Sequence, residues 1–300
     1  MKVFVAGGTG FIGSRTVRKL LDNTNHELML LIMESEENPV FSDEELKRIT
    51  IVKGMLPKIT EWEKILLDFK PDAIVNLAWE GIPKYGTELS MRNFDNTMKL
   101  VNLAKESSIK KFIGAGSCWE YGTSKGKLNE DSPAIYRDTF TSVKNSLYLL
   151  GRSLIDDKEK IFIWPRFFYV YGPGQKSASL IPTIISSIKD GKTPDIRTPD
   201  SENDFIFVDD IATGIIALLD NCEESGIYNI GTGKPTSIRT IIEYIYKKLD
   251  KGLPDLKPKA ENVDVCFYAD CEKIKKYGWS PTFSIEQGID EMLKDQGLLK

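Results

Sequence analysis

Hydrophobic residues along the first 165 positions follow two alternating patterns. Short apolar runs, many rich in Val and Ile, recur as "KVFVAG", "ELMLLIM", "RITIV", "DAIVNLA", "KKFIGAGS" and "KIFIWPR". Between most of them lie amphipathic stretches of helical period, "FIGSRTVRKLLDN", "EWEKILLDF", "MRNFDNTMKLVNLAKES" and "FTSVKNSLYLLGRSL". Strands that apolar, separated by helices, predict a parallel sheet covered on both faces, the doubly wound α/β architecture. After Pro165 Gly and Pro become frequent, in "YGPGQ", "DGKTPDIRTPD", "GTGKPTS" and "KGLPDLKPK". This change predicts a smaller mixed α/β lobe, with "DFIFVDDIATGIIALLD" returning to the main sheet. The expected division is residues 1–165 plus about 204–225 in the sheet domain, and about 166–203 and 226–300 in the lobe.

Composition narrows the chemistry. A formal charge of -4 gives no electrostatic reason to expect nucleic acid or an acidic membrane as partner. The run "LMLLIM" is far too short to span a bilayer, and "MKVFVAGG" lacks a signal-peptide pattern, so a cytoplasmic protein is expected. Cys118, Cys222, Cys266 and Cys271 form no CxxC pair, which argues against a zinc or redox motif. A single histidine, His26, excludes Ser-His-Asp chemistry and any multi-histidine metal site. No metal is expected.

The first strand runs into "AGGTGFIG", which sets Gly7, Gly10 and Gly13 at the mouth of the first helix, with Thr9, Phe11 and Ile12 between them. A phosphate-binding turn needs glycines at such places: one for the tight turn, one for close approach of pyrophosphate, one for helix–strand packing. The free amides of the helix start then face the phosphate. The pattern points to a dinucleotide-binding Rossmann sheet and NAD(P)(H). "MESEEN" offers Glu34, Glu36 and Glu37 near the adenosine ribose, where a carboxylate would bond hydroxyls and repel a 2′-phosphate. That leans the cofactor towards NAD(H), although a solvated acidic loop has the same composition.

The GxxGxxG spacing of this turn resembles that of the extended short-chain dehydrogenase/reductase family. Further stretches resemble the family in order: "PDAIVNLAW", with Leu77, Ala78 and Trp79 lining the cofactor; "MRNFDNTMKLVNLA", with Asn93; and "IGAGSCWEYG", with the catalytic serine falling on Ser117. "RFFYVYGPGQ", containing Phe167, "FIFVDDIATGI", "YNIGTGKPTSIRTII" and "YADCEKIKKYGWSPTFSIEQGI" extend the likeness over nearly the whole chain. Within the family the nearest resemblance is to nucleotide-sugar 4-ketoreductases and epimerases. It implies a nucleoside-diphosphate sugar bound between two lobes. It also implies a homodimer formed by two long helices, here near Met91–Ser107 and Thr139–Leu154.

Such a site uses a tyrosine as proton donor, a lysine that lowers its pKa and holds the nicotinamide ribose, and a serine that bonds the carbonyl oxygen. By the resemblance Ser117 and Lys144 are present, but the tyrosine position, four residues before the lysine, is Phe140. Three explanations fit: an inactivating Tyr→Phe change, a different acid (Tyr121 first, Tyr136 behind it, or water), or a protein that binds without reducing. The Arg that often precedes "DFIFVDD" in the family is Asn203 here, leaving Arg197 and Arg239 as candidates for the diphosphate. Trp79 and Trp119 are candidates to stack on the ligand, whereas Phe167 also fits a core position. The leading reading is reduction of a nucleotide-linked 4-keto-6-deoxyhexose. Epimerisation and a non-catalytic sensor stand behind it, and Glu120 leaves dehydration open.

Overall fold

Side chains alternate across the strands of the first half, so each strand supplies both faces of the sheet. The computed structural model describes residues 1–36, 40–82, 85–135, 137–156, 159–256 and 266–299. The chain begins β1 (Lys2–Ala6), α1 (Phe11–Asn23), β2 (Glu27–Ile32), α2 (Asp43–Leu46), β3 (Ile49–Lys53), α3 (Glu63–Phe69), β4 (Ala73–Asn76) and α4 (Thr87–Glu106). It continues β5 (Lys111–Ile113), β6 (Gly116–Ser117), a 3-10 turn (Cys118–Tyr121), β7 (Gly126–Leu128), α5 (Thr139–Ile155), β8 (Ile161–Phe167) and β9 (Tyr169–Tyr171). Then follow α6 (Leu180–Lys189), β10 (Glu202–Asn203), β11 (Phe205–Phe207), α7 (Val208–Asn221), β12 (Gly226–Ile230) and β13 (Thr236–Ser237). The last elements are α8 (Ile238–Lys248), β14 (Phe267–Ala269), α9 (Glu272–Lys275) and α10 (Ile285–Asp295).

The central sheet is parallel, in the order β12-β8-β5-β4-β1-β2-β3, with β6 beside β8. The order turns back between β1 and β4, and ligands of doubly wound sheets bind at such a switch point, beyond the carboxyl ends of the strands. Val3, Val5, Leu28 and Leu30 face one core, closed by Val17 and Leu20 of α1 and by Ile211, Ile215 and Leu218 of α7. Phe4, Ala6, Met29 and Leu31 face the other, closed by Leu66, Leu100, Val101, Val143 and Leu147 from α3, α4 and α5. A third core joins Ile181, Ile184 and Ile185 of α6 to Ile241, Ile242 and Ile245 of α8, and to Ile289 and Leu293 of α10.

Two details differ from the sequence expectation. β11 of "DFIFVDD" pairs with β9 in a separate two-stranded sheet, and only α7, which follows it, returns to cover the central one. Conversely β12, expected in the lobe, pairs with β8 and completes the central sheet. Its "GIYNI" keeps Ile, Tyr and Ile but carries Gly and Asn, and with Gly and Pro flanking it, its membership was hidden. Two buried carboxylates tie the pieces together. Asp204 accepts from the amides of Thr232, Gly233 and Ala269, and Asp210 from those of Thr282 and Phe283. Among the described residues, no helix is long and apolar enough to cross a membrane.

Candidate active site

The glycine turn is packed too closely for side chains. Gly7 has a φ of +76°, and a Cβ there would lie 2.5 Å from the Ala78 amide nitrogen. A Cβ on Gly13 would overlap the Gly7 carbonyl oxygen. The start of α1 therefore sits directly on the end of β1, with the end of β4 alongside. Gly10 donates its N–H to Gly7 O at 3.1 Å and caps α1 without any side-chain hydrogen bond. The amides opening the helix at Phe11, Ile12 and Gly13 have no intrahelical acceptor, which is the usual cradle for a pyrophosphate. This cradle, shaped by absent Cβ atoms, fits a dinucleotide.

Thr9 connects the turn to the acidic segment, donating its hydroxyl to Glu36 Oε2 at 3.2 Å. Glu34 is exposed, so Glu36 is the carboxylate held against the turn; Glu37 lies outside the described residues. Past β4, Leu77, Ala78 and Trp79 are half-buried beside the glycines. Asn93 is buried and spends its side chain on the backbone that follows. It accepts from Glu80 N at 2.8 Å and donates to Glu80 O and Leu89 O at 3.1 and 2.8 Å. Its part is to fix the segment after Trp79.

Ser117 ends β6, paired with Phe167 of β8, whose ring lies in the core. Ser117 Oγ accepts from Trp119 N at 3.2 Å and so caps the 3-10 turn. That bond uses a lone pair and leaves the hydroxyl hydrogen for a ligand. The turn is anchored from beneath by Glu120, which is fully buried. Its carboxylate accepts from Ser117 N at 2.7 Å, Arg166 Nε at 3.0 Å and Trp164 Nε1 at 3.2 Å. Glu120 is thus committed to an internal ion pair and does not serve as the acid–base group that a dehydration would need.

Tyr121 also departs from expectation. Its ring is fully buried beneath the Arg166 guanidinium, and its hydroxyl donates to Asn229 Oδ1 at 2.6 Å. Burial holds this phenol well above its ordinary range. It is a core residue; the three-residue period of the 3-10 turn puts it on the inward side with Cys118 while Trp119 points out. Tyr136, the other tyrosine named from sequence, lies outside the described residues.

Lys144, one turn into α5, is buried, and its Nζ donates to Ala115 O at 2.5 Å. The face of Trp79 lies 3.6 Å from the same nitrogen. Burial brings the ammonium down to about 7, against the opposing pull of Glu120. Asp138 positions this helix by accepting from Thr141 N at 2.8 Å, and the hydroxyls of Thr139 and Thr87 meet at 3.0 Å, joining the starts of α5 and α4. Phe140 is buried among aromatic rings. Its centroid lies 5.4 Å from Trp79 and 6.1 Å from Trp119, both nearly edge-on, and 4.7 Å from Tyr85. Tyr85 had no signal in the sequence beyond its place just before Gly86, which caps α4.

The structure therefore brings together the glycine turn, Ala78, Trp79, Lys144, Ser117, Trp119 and Phe140. Elsewhere, Arg239 is held by Asp200, Nε to Oδ1 at 2.6 Å and Nη2 to Oδ2 at 3.1 Å, and also donates to Leu256 O. Asn203 sits in β10 against Thr236 of β13, and Arg197 is exposed.

The chain is 28% identical to the low-salt glycan biosynthesis protein Agl12 of Haloferax volcanii, over 97% of this chain and 96% of that protein. It is 25% identical to CDP-abequose synthase of Salmonella muenchen, covering 97% of each. The solved structure of UDP-glucose 4-epimerase from Thermotoga maritima, determined with UDP-glucose, superposes with a TM-score of 0.85 at 20% identity, covering 99% of both chains. Residues 3–231 match the model of the NAD dependent epimerase/dehydratase family, whose members modify nucleotide sugars, and the chain belongs to that family.

Proposed function

We propose that this chain is an NAD(P)H-dependent reductase of the 4-keto group of a nucleoside-diphosphate 4-keto-6-deoxyhexose, with NAD(H) the favoured cofactor. The observation that carries this reading is an unbroken line of contacts. It runs from Gly7 to Ala78, through neighbouring Trp79 to Lys144 Nζ, and from there to Ala115 O, two residues before Ser117. That line supports a reading in which the glycine turn and the Ser117 hydroxyl serve one bound dinucleotide and its substrate. Gly7, Gly10, Gly13, Phe11 and Ile12 would hold the dinucleotide phosphates, with Glu36 on the ribose side of the turn.

A dinucleotide held by the glycine turn would supply a hydride to the ketone carbon. Ser117 donates its hydroxyl hydrogen to the ketone oxygen, stabilising the charge that develops there. The Lys144 ammonium, in a water-poor position, adds positive charge nearby and is placed to hold a ribose hydroxyl. Trp79 and Trp119 flank the sugar position, and Arg197, exposed, is a candidate guanidinium for the diphosphate. We place the nucleotide sugar between the central sheet and the lobe built on α6, α8 and α10, and infer a homodimer through α4 and α5.

Epimerisation has support of its own, since the relatives and solved structures similar to this chain include 4-epimerases. Loss of NADH absorbance with a panel of dTDP-, CDP-, GDP- and UDP-linked 4-keto-6-deoxyhexoses tests the proposal. Stoichiometric oxidation supports reduction. Interconversion of two sugar epimers without net oxidation, on a tightly retained dinucleotide, replaces it with the epimerase reading.

A further inference from the structure

Phe140 leaves the proposed reductase without its usual proton donor, and Tyr121 is occupied in the core. The surroundings of Phe140 contain another phenol. Tyr85, in the segment between β4 and α4, places its ring 4.7 Å from Phe140 and 5.1 Å from Trp119, centroid to centroid. It is half-buried, and among the described residues its hydroxyl has no hydrogen-bond partner. The three most deeply buried tyrosines among the described residues, Tyr121, Tyr171 and Tyr228, instead donate to protein acceptors. A half-buried phenol usually finds a partner when one is near, so this hydroxyl is left for solvent or for a ligand. Among the described residues on either side of Tyr85, Glu80 is bonded to Asn93 of α4, and the Thr87 hydroxyl meets that of Thr139 at the start of α5.

We infer that Tyr85 is the catalytic acid of this chain, delivering from the β4–α4 segment the proton that Phe140 cannot. This rests on the reductase reading. In the step, hydride adds to the ketone carbon and the C=O π pair moves to oxygen. That oxygen takes the Tyr85 proton as the phenol O–H bond breaks, giving the secondary alcohol, and the resulting phenolate recovers a proton from water. Burial, with the Cys118 thiol adding to it, raises the Tyr85 phenol, so the proton is present throughout the neutral range and this acid works without being pre-ionised.

The test compares the parent with Tyr85→Phe, Phe140→Tyr and the double variant, using NADH and the ketosugar panel. NADH affinity is followed separately by fluorescence. Tyr85→Phe is expected to lower kcat on the order of 10²–10⁴-fold with NADH affinity unchanged. Adding Phe140→Tyr to it is expected to restore turnover, because the phenol returns to the family's position. Full activity in Tyr85→Phe overturns the inference while leaving the reductase reading intact. So does a loss that Phe140→Tyr does not rescue, or a parent that is inert until Phe140→Tyr is made. If neither the parent nor Phe140→Tyr oxidises NADH, the reductase reading fails and Tyr85 falls with it.

Discussion

Lys144 shows how much a single residue's meaning depends on what surrounds it. In sequence it is one lysine in an amphipathic helix; in the fold its ammonium is sealed between Ala115 O and the Trp79 face. Burial depresses it to about 7, whereas the unfolded chain carries a lysine of ordinary pKa, near ~10.4. Below about 7 both states are protonated and the folded chain bears the full cost of burying a cation. Between there and roughly 10.4 the unfolded state binds the extra proton, so stability rises with pH across that window. Lys144→Met removes the charge while keeping a long side chain. It is expected to melt above the parent at pH 6, and the gap should shrink as the pH is raised from 7 to 10 in thermal denaturation. A gap independent of pH would show that Lys144 keeps its proton in the folded state. The close packing of the Gly7–Gly10–Gly13 turn was legible in the sequence because it depends on backbone sterics within a few residues, whereas Ser117 was singled out only through the resemblance. Tyr85 was not legible, because only the packing of α4 on α5 carries it to Phe140.

At the level of elements, the short 3-10 turn after β6 depends on a charge pair that no local pattern reveals. Glu120 lies fully buried with Arg166 of β8, which also reaches Asn145 Oδ1 of α5 at 3.2 Å. One pair therefore fastens the Ser117 turn, the strand beneath it and the helix bearing Lys144. Removing one member leaves the other buried and uncompensated, which costs about 3–5 kcal/mol. Glu120→Gln is accordingly expected to lower the urea midpoint substantially, by an amount matching that range at unchanged m-value. A midpoint within error of the parent would mean that the pair does not anchor this turn. The same geometry explains why Glu120 looked available from sequence. The acid–base pair a dehydration would place directly beside Ser117 is absent, and Glu120, three residues on, was the carboxylate left open, but the turn buries it while Trp119 faces out.

For the whole molecule, α4 and α5 cover one face of the sheet yet keep apolar side chains on their outer sides. Met91 is 51% exposed, Leu149 59% and Leu150 45%. Large aliphatic residues this accessible on adjacent helices are what an isologous interface would cover. Light scattering coupled to size exclusion is expected to give a dimer for the parent, and a monomer for Leu149→Asp with its helical content retained. A parent that elutes as a monomer at micromolar concentration removes the dimer from the proposal.

The sequence by itself determined the architecture and the cofactor cradle. Apolar strands alternating with amphipathic helices leave few ways to bury both faces of a sheet, and a glycine turn follows from backbone sterics that act within a few residues. Tertiary structure decided the rest. It moved β12 into the central sheet and β11 out of it, and committed Tyr121, Glu120 and Arg239 to internal partners. It also gathered Trp79, Tyr85, Trp119 and Phe140 into one aromatic wall. Whether a polar side chain faces a ligand or the core depends on the direction its element takes against distant neighbours. No local spacing encodes that direction, because it is set by packing between residues far apart in the chain.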